Sequence, residues 1–499
     1  MANLSRLLSG IEVIGATLST LDIDIGELVS DSLRVKDGDA FICLRGGKYD
    51  GHDFICVAVQ RGARVIICEE VTGYLKAHPE IGYVLVRNTR LAAVNMWNEL
   101  CGRPSDKMIF VAVTGTNGKT STTYFLREIF KEAGYMTGLC GTVRCFIGDE
   151  SVILTDSDSS EFNSMTTPDP EKLYPMLARM ADAGVEIVFL EASSHSLSQY
   201  RLAPLRFSAG VFLNLTPEHL DYHHTMENYF AAKKRLLEMS DTVVVNLDDE
   251  WFSGLADSVS PPAVTFSALG SDKADFRALS ARCDMDGGVT YELSENAGKY
   301  TVSCPIAGDF TVGNTLAAIS TARLFGIKPD TIRCAMSKCP QIPGRMEKLP
   351  LDTDFEVFID YAHTPDALER TLRTLRRRVP DGGRLAVMFG CGGDRDKEKR
   401  PKMGRLASEL ADFVLITGDN SRTENPRAII CDILRGVEAA SRCKVIEKRR
   451  EAIRYIIKNA GQGDVILLAG KGHEDYETDI SGKHHFSERE TVMEALSER

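Results

Sequence analysis

The chain has 499 residues, of which 43% are hydrophobic, so it is long enough for about two to four domains, each with its own core. Its net charge of −12 argues against nucleic acid or an acidic membrane surface as the main partner. The thirteen cysteines include no CxxC pair, which indicates buried thiols of a reducing compartment and argues against a disulfide framework or a zinc ribbon. Because the sequence has no apolar run of about eighteen residues and no signal-like start, we expect a cytoplasmic protein without a membrane partner.

The first 106 residues predict a small α/β domain. Short strands are expected at 39–44, 64–68 and 83–86, separated by helical or loop segments.

A phosphate-binding site is predicted by the stretch MIFVAVTGTNGKT at 108–120. An apolar, β-branched run ends in a turn in which glycine lets a ligand approach the backbone, and a helix is expected over 121–134. A strand, a glycine loop and a helix N-terminus together bind polyphosphate, here with a lysine charge and a threonine hydroxyl suited to Mg²⁺. Because Val113 stands where the usual phosphate loop has glycine, this is a shorter variant, and an ordinary glycine turn is the alternative. The candidate residues are Gly115, Thr116, Asn117, Gly118, Lys119, Thr120 and Ser121.

Two further α/β domains follow from the strand pattern. Residues 107–339 alternate long apolar strands with helices, which predicts a doubly wound, mostly parallel sheet that becomes antiparallel from about 267 to 304 and is closed by a helix at 312–324. The stretch CPQIPG at 339–344 reads as a linker. Residues 340–499 have a Rossmann-like rhythm without a GxGxxG fingerprint, and their strands are expected at 356–360, 384–389, 413–417 and 464–469.

Acidic and histidine side chains follow two of the central strands. Glu191 comes directly after an apolar run, where a carboxylate could complete a Mg²⁺ shell begun by Thr120, although a helix N-cap region is the alternative. Residues 216–224 hold three histidines and two acids, which by themselves fit either a metal site or a polar loop.

The ordered motifs of the chain closely resemble the muramyl ligase family, in particular the branch that adds the third residue of the peptidoglycan stem. The motifs are TGTNGKTST at 114–122, TTPDP at 166–170, LEASSHSLSQYRL at 190–202, EHLDYHHTMENY at 218–229, AAKKRLL at 231–237, GRMEKL at 344–349, DYAHTPDAL at 360–368, GCGGDRDKEKRPKM at 390–403 and AGKGHEDYE at 469–477.

This resemblance implies an ATP-dependent amide ligase. ATP would phosphorylate the free carboxylate of a UDP-MurNAc-dipeptide, and an amino acid's amine would attack the acyl phosphate. Cations must offset the repulsion between the two anions, and the resemblance gives this role to Lys119, Mg²⁺ and Arg345. It also places two Mg²⁺ ions on Thr120, Glu191 and His219, and a CO₂-derived carbamate on Lys233, for which Lys234 is a rival position.

The resemblance also implies binding residues for the nucleotide and for the acceptor. Asn314, Arg345 and Asp360 would hold ATP, with Arg345 brought to the phosphates by closure of the third domain. The acceptor contacts would be Ser32, Thr166, Thr167, Ser193, Gln199 and Arg201. The chain departs from the family pattern at Leu33, where arginine is usual beside the serine that meets uridine.

The incoming amino acid is expected in the third domain. Asp419, Asn420, Ser421 and Arg422 occupy the place of an Asp-Asn-Pro-Arg motif of enzymes that use meso-diaminopimelate, whose extra carboxylate an arginine can grip bidentately. Arg395, Gly470 and Glu474 would hold the rest of that amino acid.

Three functions stay open from the sequence alone. The first is this ligase, which we expect to be a monomer, with diaminopimelate or another diamino acid as substrate. The others are a folylpolyglutamate synthase-like ligase and a non-catalytic nucleotide-binding paralogue, for which Leu33 and Ser421 would be early signs of decay.

Overall fold

The computed structural model describes residues 2–17, 21–47, 49–152, 165–258, 262–283, 287–438 and 440–499. Three separate main sheets run through the chain in sequence order, of five, eleven and six strands. This confirms the predicted architecture of three α/β domains, while the boundaries at 106 and 339 stay a prediction.

The first sheet has the order β2-β7-β6-β5-β4, in which β4 to β7 are parallel and β2 is antiparallel to β7. The strands predicted from the sequence are β5, β6 and β7. The elements are β1 (Ala2–Asn3), α1 (Leu4–Leu7), β2 (Val13–Ala16), β3 (Asp24–Ile25), β4 (Leu28–Val29), β5 (Ala40–Ile42), α2 (Ile55–Gln60), β6 (Val65–Cys68), α3 (Gly73–Ala77), β7 (Gly82–Val86) and α4 (Thr89–Leu100).

The central sheet is built around β8. Its elements are β8 (Ile109–Thr114), α5 (Lys119–Glu132), β9 (Thr137–Cys140), β10 (Cys145–Ile147), β11 (Glu150–Val152), α6 (Pro170–Asp182), β12 (Ile187–Glu191), α7 (Ser194–Ser198), β13 (Ala209–Phe212), α8 (Leu220–His223), α9 (Met226–Glu238), β14 (Val243–Asn246), α10 (Leu255–Ser258), β15 (Ala263–Ser267), β16 (Phe276–Cys283), β17 (Val289–Glu295), β18 (Gly298–Cys304), α11 (Asp309–Leu324) and α12 (Pro329–Ser337). The strand order is β11-β10-β9-β12-β8-β13-β14-β15-β16-β17-β18.

The central strands of this sheet, β9, β12, β8, β13, β14, β15 and β16, are parallel. Antiparallel pairs extend it at both edges, through β10 and β11 on one side and β17 and β18 on the other. Alternate residues of β8 enter two different cores, Val111 and Val113 on one face and Phe110 and Ala112 on the other. A strand covered by helices on both faces must be apolar at every position, which is why β8 reads as an unbroken hydrophobic run.

Two predictions about the central helices were incomplete. The helix expected over 121–134 spans Lys119–Glu132, because Gly118 takes the left-handed backbone (φ +89°) that ends the loop two residues earlier than expected. The helix expected to close the domain is followed by α12, whose buried Ile332 and Met336 join the same core.

The third sheet has the order β19-β20-β24-β21-β22-β23, and only β19 is antiparallel among its described strands. A separate hairpin is formed by β25 and β26. The elements are β19 (Glu347–Lys348), β20 (Glu356–Asp360), α13 (Pro365–Arg376), β21 (Leu385–Phe389), α14 (Lys399–Leu410), β22 (Phe413–Ile416), α15 (Pro426–Leu434), β23 (Cys443–Val445), α16 (Arg449–Lys458), β24 (Val465–Ala469), β25 (Tyr476–Asp479), β26 (Gly482–His485) and α17 (Glu488–Ser497).

The linker between the second and third domains is fixed at both of its ends. Cys339 and Ile342 are buried in the core of the central domain. Gly344 is fixed to the third domain, since its carbonyl accepts a hydrogen bond from the Tyr361 N–H at 2.9 Å. It also packs closely there, because an added Cβ would lie 2.2 Å from the backbone nitrogen of His473.

Candidate active site

The loop between β8 and α5 is held in one shape by a side chain from the next strand of the sheet. Asn214, just after β13, accepts a hydrogen bond from the Asn117 N–H at 2.8 Å and donates one to the Asn117 carbonyl at 3.0 Å. At Gly118 a Cβ would lie 2.3 Å from Asn314 Oδ1, so glycine is required for packing as well as for backbone conformation. The loop is therefore formed in advance and leads directly into the N-terminus of α5, where anions bind.

Two lysines converge on this loop. The ammonium groups of Lys119 and Lys233 both donate to the Gly115 carbonyl, at 2.9 and 2.8 Å. Lys233, on α9, is only 1% exposed, and burial together with the nearby charge of Lys119 holds its pKa well below the ordinary value. Burial also lowers the pKa of Lys119, although Glu218 and Glu191 oppose that effect. Gly115 thus contributes its carbonyl to the site and lies outside the cavity wall described below.

Glu191, the last residue of β12, is the buried acid of the site. Its carboxylate is 1% exposed and accepts hydrogen bonds from the Thr120 hydroxyl at 3.1 Å, the Thr142 N–H at 2.9 Å and the Thr142 hydroxyl at 2.8 Å. Arg345 of the third domain donates to the Thr120 hydroxyl at 3.1 Å. The Glu191 carboxylate and the Thr120 hydroxyl therefore lie side by side at the phosphate loop, and the Arg345 guanidinium contacts that hydroxyl from the third domain.

His219 faces the same cavity from the loop after β13. Its backbone is left-handed (φ +56°), which is uncommon for a residue other than glycine. Its Nε2 lies 3.7 Å from Glu218, and its ring is 4.8 Å from that of His195.

The donor set fits an anion and a hard cation. The Arg345 Nε is buried and has no hydrogen-bond partner among the described residues, which suits a negatively charged group beside it. Thr120 and Glu191 offer the oxygen ligands that Mg²⁺ prefers. In the described part of the chain, no group of three or more histidine, cysteine, aspartate and glutamate side chains is arranged to hold a metal by itself, so a substrate phosphate or water would have to complete the shell.

The central and third domains together enclose a cavity of about 340 Å³. Two further contacts join the domains across it: Asn117 Nδ2 donates to Asp366 at 3.1 Å, and Glu218 meets His363 at 3.2 Å. Of the residues singled out from the sequence, the wall contains Thr116, Asn117, Gly118, Lys119, Thr120, Ser121, Thr166, Glu191, His219, Asn314, Arg345, Asp360, Arg395, Asp419, Asn420, Arg422, Gly470 and Glu474.

The third-domain part of the cavity carries both signs of charge. Asn420 donates to Glu474 at 2.8 Å and accepts from Lys471 at 3.0 Å. Burial alone would raise the pKa of Asp419, but Lys471 and neighbouring guanidinium groups outweigh it and lower that pKa. Burial raises the pKa of Glu474.

The arginine of this region has a defined conformation. Arg422 has a left-handed backbone (φ +52°) and donates to the Gly393 carbonyl at 2.8 Å. Ser421 is buried but lies outside the cavity wall.

A second group of predicted residues lies beside the cavity on the central domain. Arg201 donates to the Thr167 carbonyl at 2.8 Å and to the Gln199 side chain at 2.7 Å. The Thr167 hydroxyl donates to the Glu191 carbonyl at 2.6 Å and lies 3.3 Å from the Ser193 hydroxyl. These four residues are thus one hydrogen-bonded unit connected to the end of β12.

Ser32 is not part of either group, since it is buried in the first domain, next to an exposed Leu33. The first domain approaches the central one at the ion pair of Arg34 with Glu171, 3.8 Å apart.

Sequence reasoning missed several side chains of the site. It gave no role to Thr142, Asn214, Asp366 or His363, and it noted Glu218 only as one acid of a polar loop. Thr142 lies just after β9, and Asn214 lies just after β13. Ligands bind beyond the carboxyl ends of parallel strands, so this position is the sequence signal that could have found both residues. Taken together, a preformed phosphate loop, a buried carboxylate and a third domain in contact with that loop are typical of an enzyme that binds a nucleotide between two domains.

Comparisons with known proteins agree with this class. The family model for the Mur ligase middle domain matches residues 113–322, that for the Mur ligase glutamate ligase domain matches residues 344–472, and that for the Mur ligase family catalytic domain matches residues 24–98. The UDP-N-acetylmuramoyl-L-alanyl-D-glutamate--2,6-diaminopimelate ligase of Clostridium tetani is 37% identical over 96% of both chains. The enzyme of the same name from Clostridium perfringens is 38% identical over 93% of this chain and 94% of its own.

A solved structure of a UDP-N-acetylmuramoyl-L-alanyl-D-glutamate--2,6-diaminopimelate ligase is also similar, with a TM-score of 0.65 and 30% identity over 100% of this chain and 99% of the other. The chain therefore belongs to the Mur ligase family of ATP-dependent ligases. In the part of the chain that the structure describes, no helix is both long enough and apolar enough to cross a membrane.

Proposed function

We propose that this protein uses ATP to join 2,6-diaminopimelate to UDP-N-acetylmuramoyl-L-alanyl-D-glutamate, through an acyl phosphate, in peptidoglycan synthesis. The names of the similar enzymes supply the substrates. One observation carries the proposal: the phosphate loop and a pocket with both carboxylates and guanidinium groups share one cavity between two domains. An acid, a triphosphate and an amino acid could therefore meet in a single enclosed space.

The proposed reaction depends on cancelling negative charge. Lys119 and Arg345 would lie against the phosphates, and the unpartnered Arg345 Nε would gain a hydrogen bond there. A Mg²⁺ held through Thr120 and Glu191, and a second near His219, would supply further positive charge at the transferring phosphate. Asn314, packed against Gly118, and the buried Asp360 would hold the nucleoside part of ATP.

We also propose that Lys233 reacts with CO₂ to form a carbamate. Only a neutral amine attacks CO₂. Its lone pair forms the C–N bond, one C=O π bond of CO₂ opens onto oxygen, and the nitrogen releases one proton to solvent, so the product is an anion. The lowered pKa of Lys233 favours that neutral form, and a carbamate would end the repulsion between two ammonium groups at one carbonyl. The resulting anion could bind or orient Mg²⁺.

The amino-acid pocket supports a substrate with two ammonium and two carboxylate groups. Glu474 and Asp419 would accept hydrogen bonds from an ammonium, while Arg422 and Arg395 would bind a carboxylate. Lysine has one carboxylate fewer, so it would leave one guanidinium without a partner. The Arg201 group and Thr166 would contact the acceptor, and Ser32 would meet its uridine end.

We further propose that the enzyme acts as a cytoplasmic monomer. One chain supplies both walls of the cavity, and its thirteen cysteines are free thiols.

The test is phosphate release from ATP by the purified enzyme. We expect release only when the UDP-linked dipeptide and meso-diaminopimelate are both present, with lysine and ornithine much poorer. Release with a folate acceptor would favour the folylpolyglutamate synthase-like alternative, and no release with any acceptor would favour a non-catalytic paralogue.

A further inference from the structure

One buried arginine of the third domain lies behind the amino-acid part of the cavity. Arg449 is the first residue of α16, and its side chain is 0% exposed. It does not line the cavity, and the proposed reaction gives it no role. Its place works against local preference, because the N-terminus of a helix is the positive end of the helix dipole and disfavours a cation. Contacts outside α16 must therefore account for an arginine here.

The guanidinium of Arg449 joins the ends of two strands that are not neighbours. It donates to the Ala469 carbonyl at 2.7 Å and to the Gly418 carbonyl at 3.2 Å. Ala469 is the last residue of β24 and Gly418 follows β22, and β21 lies between these two strands in the sheet. A planar group with several N–H donors can bridge this gap, whereas the compact ammonium of a lysine cannot keep the same geometry.

The residues that directly follow these two carbonyls, Asp419 and Gly470, belong to the cavity wall. They lie close together, since an added Cβ at Gly470 would be 3.0 Å from Asp419 Oδ2, and the same oxygen lies 3.7 Å from Arg449. Burial alone would raise the pKa of Asp419, but Lys471 and Arg449 outweigh it and lower that pKa, which keeps the carboxylate charged. Arg449 thus contributes to both the place and the charge of Asp419.

The last helix of the chain holds Arg449 from its other side. Glu488, the first residue of α17, accepts hydrogen bonds from the Arg449 Nε at 2.9 Å and from an Nη at 2.7 Å, both through one carboxylate oxygen. The other oxygen is buried and has no hydrogen-bond partner among the described residues. Such a pair is often no more stabilising than apolar side chains of similar volume, because both charges lose their hydration. Its contacts with the two strand ends explain its presence better than stability does.

We propose that Arg449 is a positioning residue for the amino-acid substrate: it holds the ends of β22 and β24 at the spacing at which Asp419 and Gly470 meet the incoming amino acid. Through Glu488 it connects the C-terminal helix α17 to that pocket. This inference rests on the proposed function, because the pocket is the amino-acid site of that reaction. Loss of Arg449 should weaken binding of the amino acid and leave ATP binding unchanged, since the phosphate loop lies in the central domain.

Two variants and a control separate positioning from stability. Arg449→Met/Glu488→Leu replaces both buried charges by apolar side chains, so neither is left without its partner. Glu488→Gln removes the ion pair but keeps Arg449, with a neutral oxygen as its acceptor. The matched control is Arg384→Met, at the opposite edge of the same sheet. Arg384 donates to Asp464 at 2.6 Å, which joins the starts of β21 and β24, and to the Asn459 carbonyl at the other end of α16 at 3.2 Å.

The first measurement is the KM for each substrate in the phosphate-release assay. We expect the double variant to raise the KM for meso-diaminopimelate by about tenfold, the size of one hydrogen bond to a charged group, and to leave the KM for ATP unchanged. Glu488→Gln should keep both KM values close to those of the natural enzyme, although its thermal midpoint should fall. Arg384→Met should change neither KM. If lysine or ornithine supports release in place of diaminopimelate, the same comparison is made with that amino acid.

The second measurement is amide hydrogen exchange of the protein without ligands, which needs no turnover. The Gly470 N–H donates to the Asp360 carbonyl at 3.0 Å, and the Gly418 N–H donates to the Glu447 carbonyl at 2.9 Å, so both amides are protected in the natural protein. We expect faster exchange in peptides that contain these two amides in the double variant, and natural exchange there in Arg384→Met.

Two outcomes would overturn the inference. One is a folded double variant with the natural KM for the amino acid. The other is a rise of the same size in Glu488→Gln, because loss of the ion pair and not of Arg449 would then be responsible. If the double variant does not fold, Arg449→Lys, which keeps the charge but not the planar set of donors, should show the rise in its place.

The proposed function can fail separately from this inference. Absence of phosphate release by the natural enzyme with every amino acid would reject the proposed function. Faster exchange at Gly418 and Gly470 in the double variant would then still support the positioning role of Arg449, and unchanged exchange would reject it.

Discussion

The most direct test of the buried carboxylate is a single methyl group placed against it. At Gly141, the residue after β9, an added Cβ would lie 2.1 Å from Glu191 Oε1 and 2.9 Å from its Cδ. Ordinary contact begins near 3.4 Å, so the carboxylate must move by roughly 1 Å. Gly141→Ala introduces no backbone strain, since this glycine is not among the residues with positive φ.

The expected effect is much larger on turnover than on stability. The displaced atoms are the end of a side chain, so we expect a loss of about 1 kcal/mol in the free energy of unfolding, at the mild end of overpacking. A displacement of about 1 Å in a reacting constellation costs on the order of a hundredfold in rate, and we expect that loss in kcat. The Mg²⁺ concentration for half-maximal activity should also rise.

The assay is phosphate release at saturating substrates, with a Mg²⁺ titration and a thermal melt of the same preparations. Gly73→Ala is the matched control, because nothing lies within 4 Å of its added Cβ, and it should behave like the natural enzyme. A Gly141→Ala enzyme with unchanged kcat and unchanged Mg²⁺ dependence would refute the role given to Glu191.

Three more predictions concern other parts of the site and the third domain. Lys233→Met should lose about ten- to a hundredfold in activity, and its activity should not respond to bicarbonate. The natural enzyme should lose activity when CO₂ is removed and regain it when bicarbonate is added. A natural enzyme whose activity does not depend on CO₂ would argue against the carbamate. Arg422→Lys should raise the KM for diaminopimelate by roughly tenfold with little change in the KM for ATP, because an ammonium cannot pair bidentately; equal effects on both would contradict the assignment. The pKa of Glu424 is lowered to about 2, mainly by its hydrogen bonds with Arg400. Their pairing therefore stabilises the fold above about pH 4.5, and this stabilisation is lost as the pH falls towards about 2. Thermal melts across that range should show a fall in the melting temperature with acid that Glu424→Gln lacks.

The sequence was most informative where local pattern decides structure. The apolar run before Gly115 predicted β8 because a strand with both faces buried can only be apolar. The same rule placed Glu191 at the end of β12, and parallel pairing of β12 with β8 then brings it to the phosphate loop. The position of His219 after β13 followed in the same way.

The sequence was least informative where partners meet only through the tertiary fold. Thr142 reaches Glu191 because β9 pairs with β12, although 49 positions separate the two residues. Asn214 braces Asn117 across 97 positions, and Glu218 meets His363 across 145. No local period or spacing encodes such pairs, since they depend on strand order and on the angle between domains.

The linker has one more consequence for how the enzyme moves. Ile342 is buried in the central domain and Gly344 is hydrogen-bonded to the third domain, so Pro343 lies between them, where its ring fixes one backbone torsion and the Arg345 N–H donates to the Ile342 carbonyl at 3.0 Å across the turn. The third domain should therefore rotate about a single axis through this segment. That rotation would carry Arg345 towards or away from Thr120. Inserting even one residue beside Pro343 would add a second axis of rotation, so the third domain would no longer follow one defined path. The contacts within each domain would stay intact.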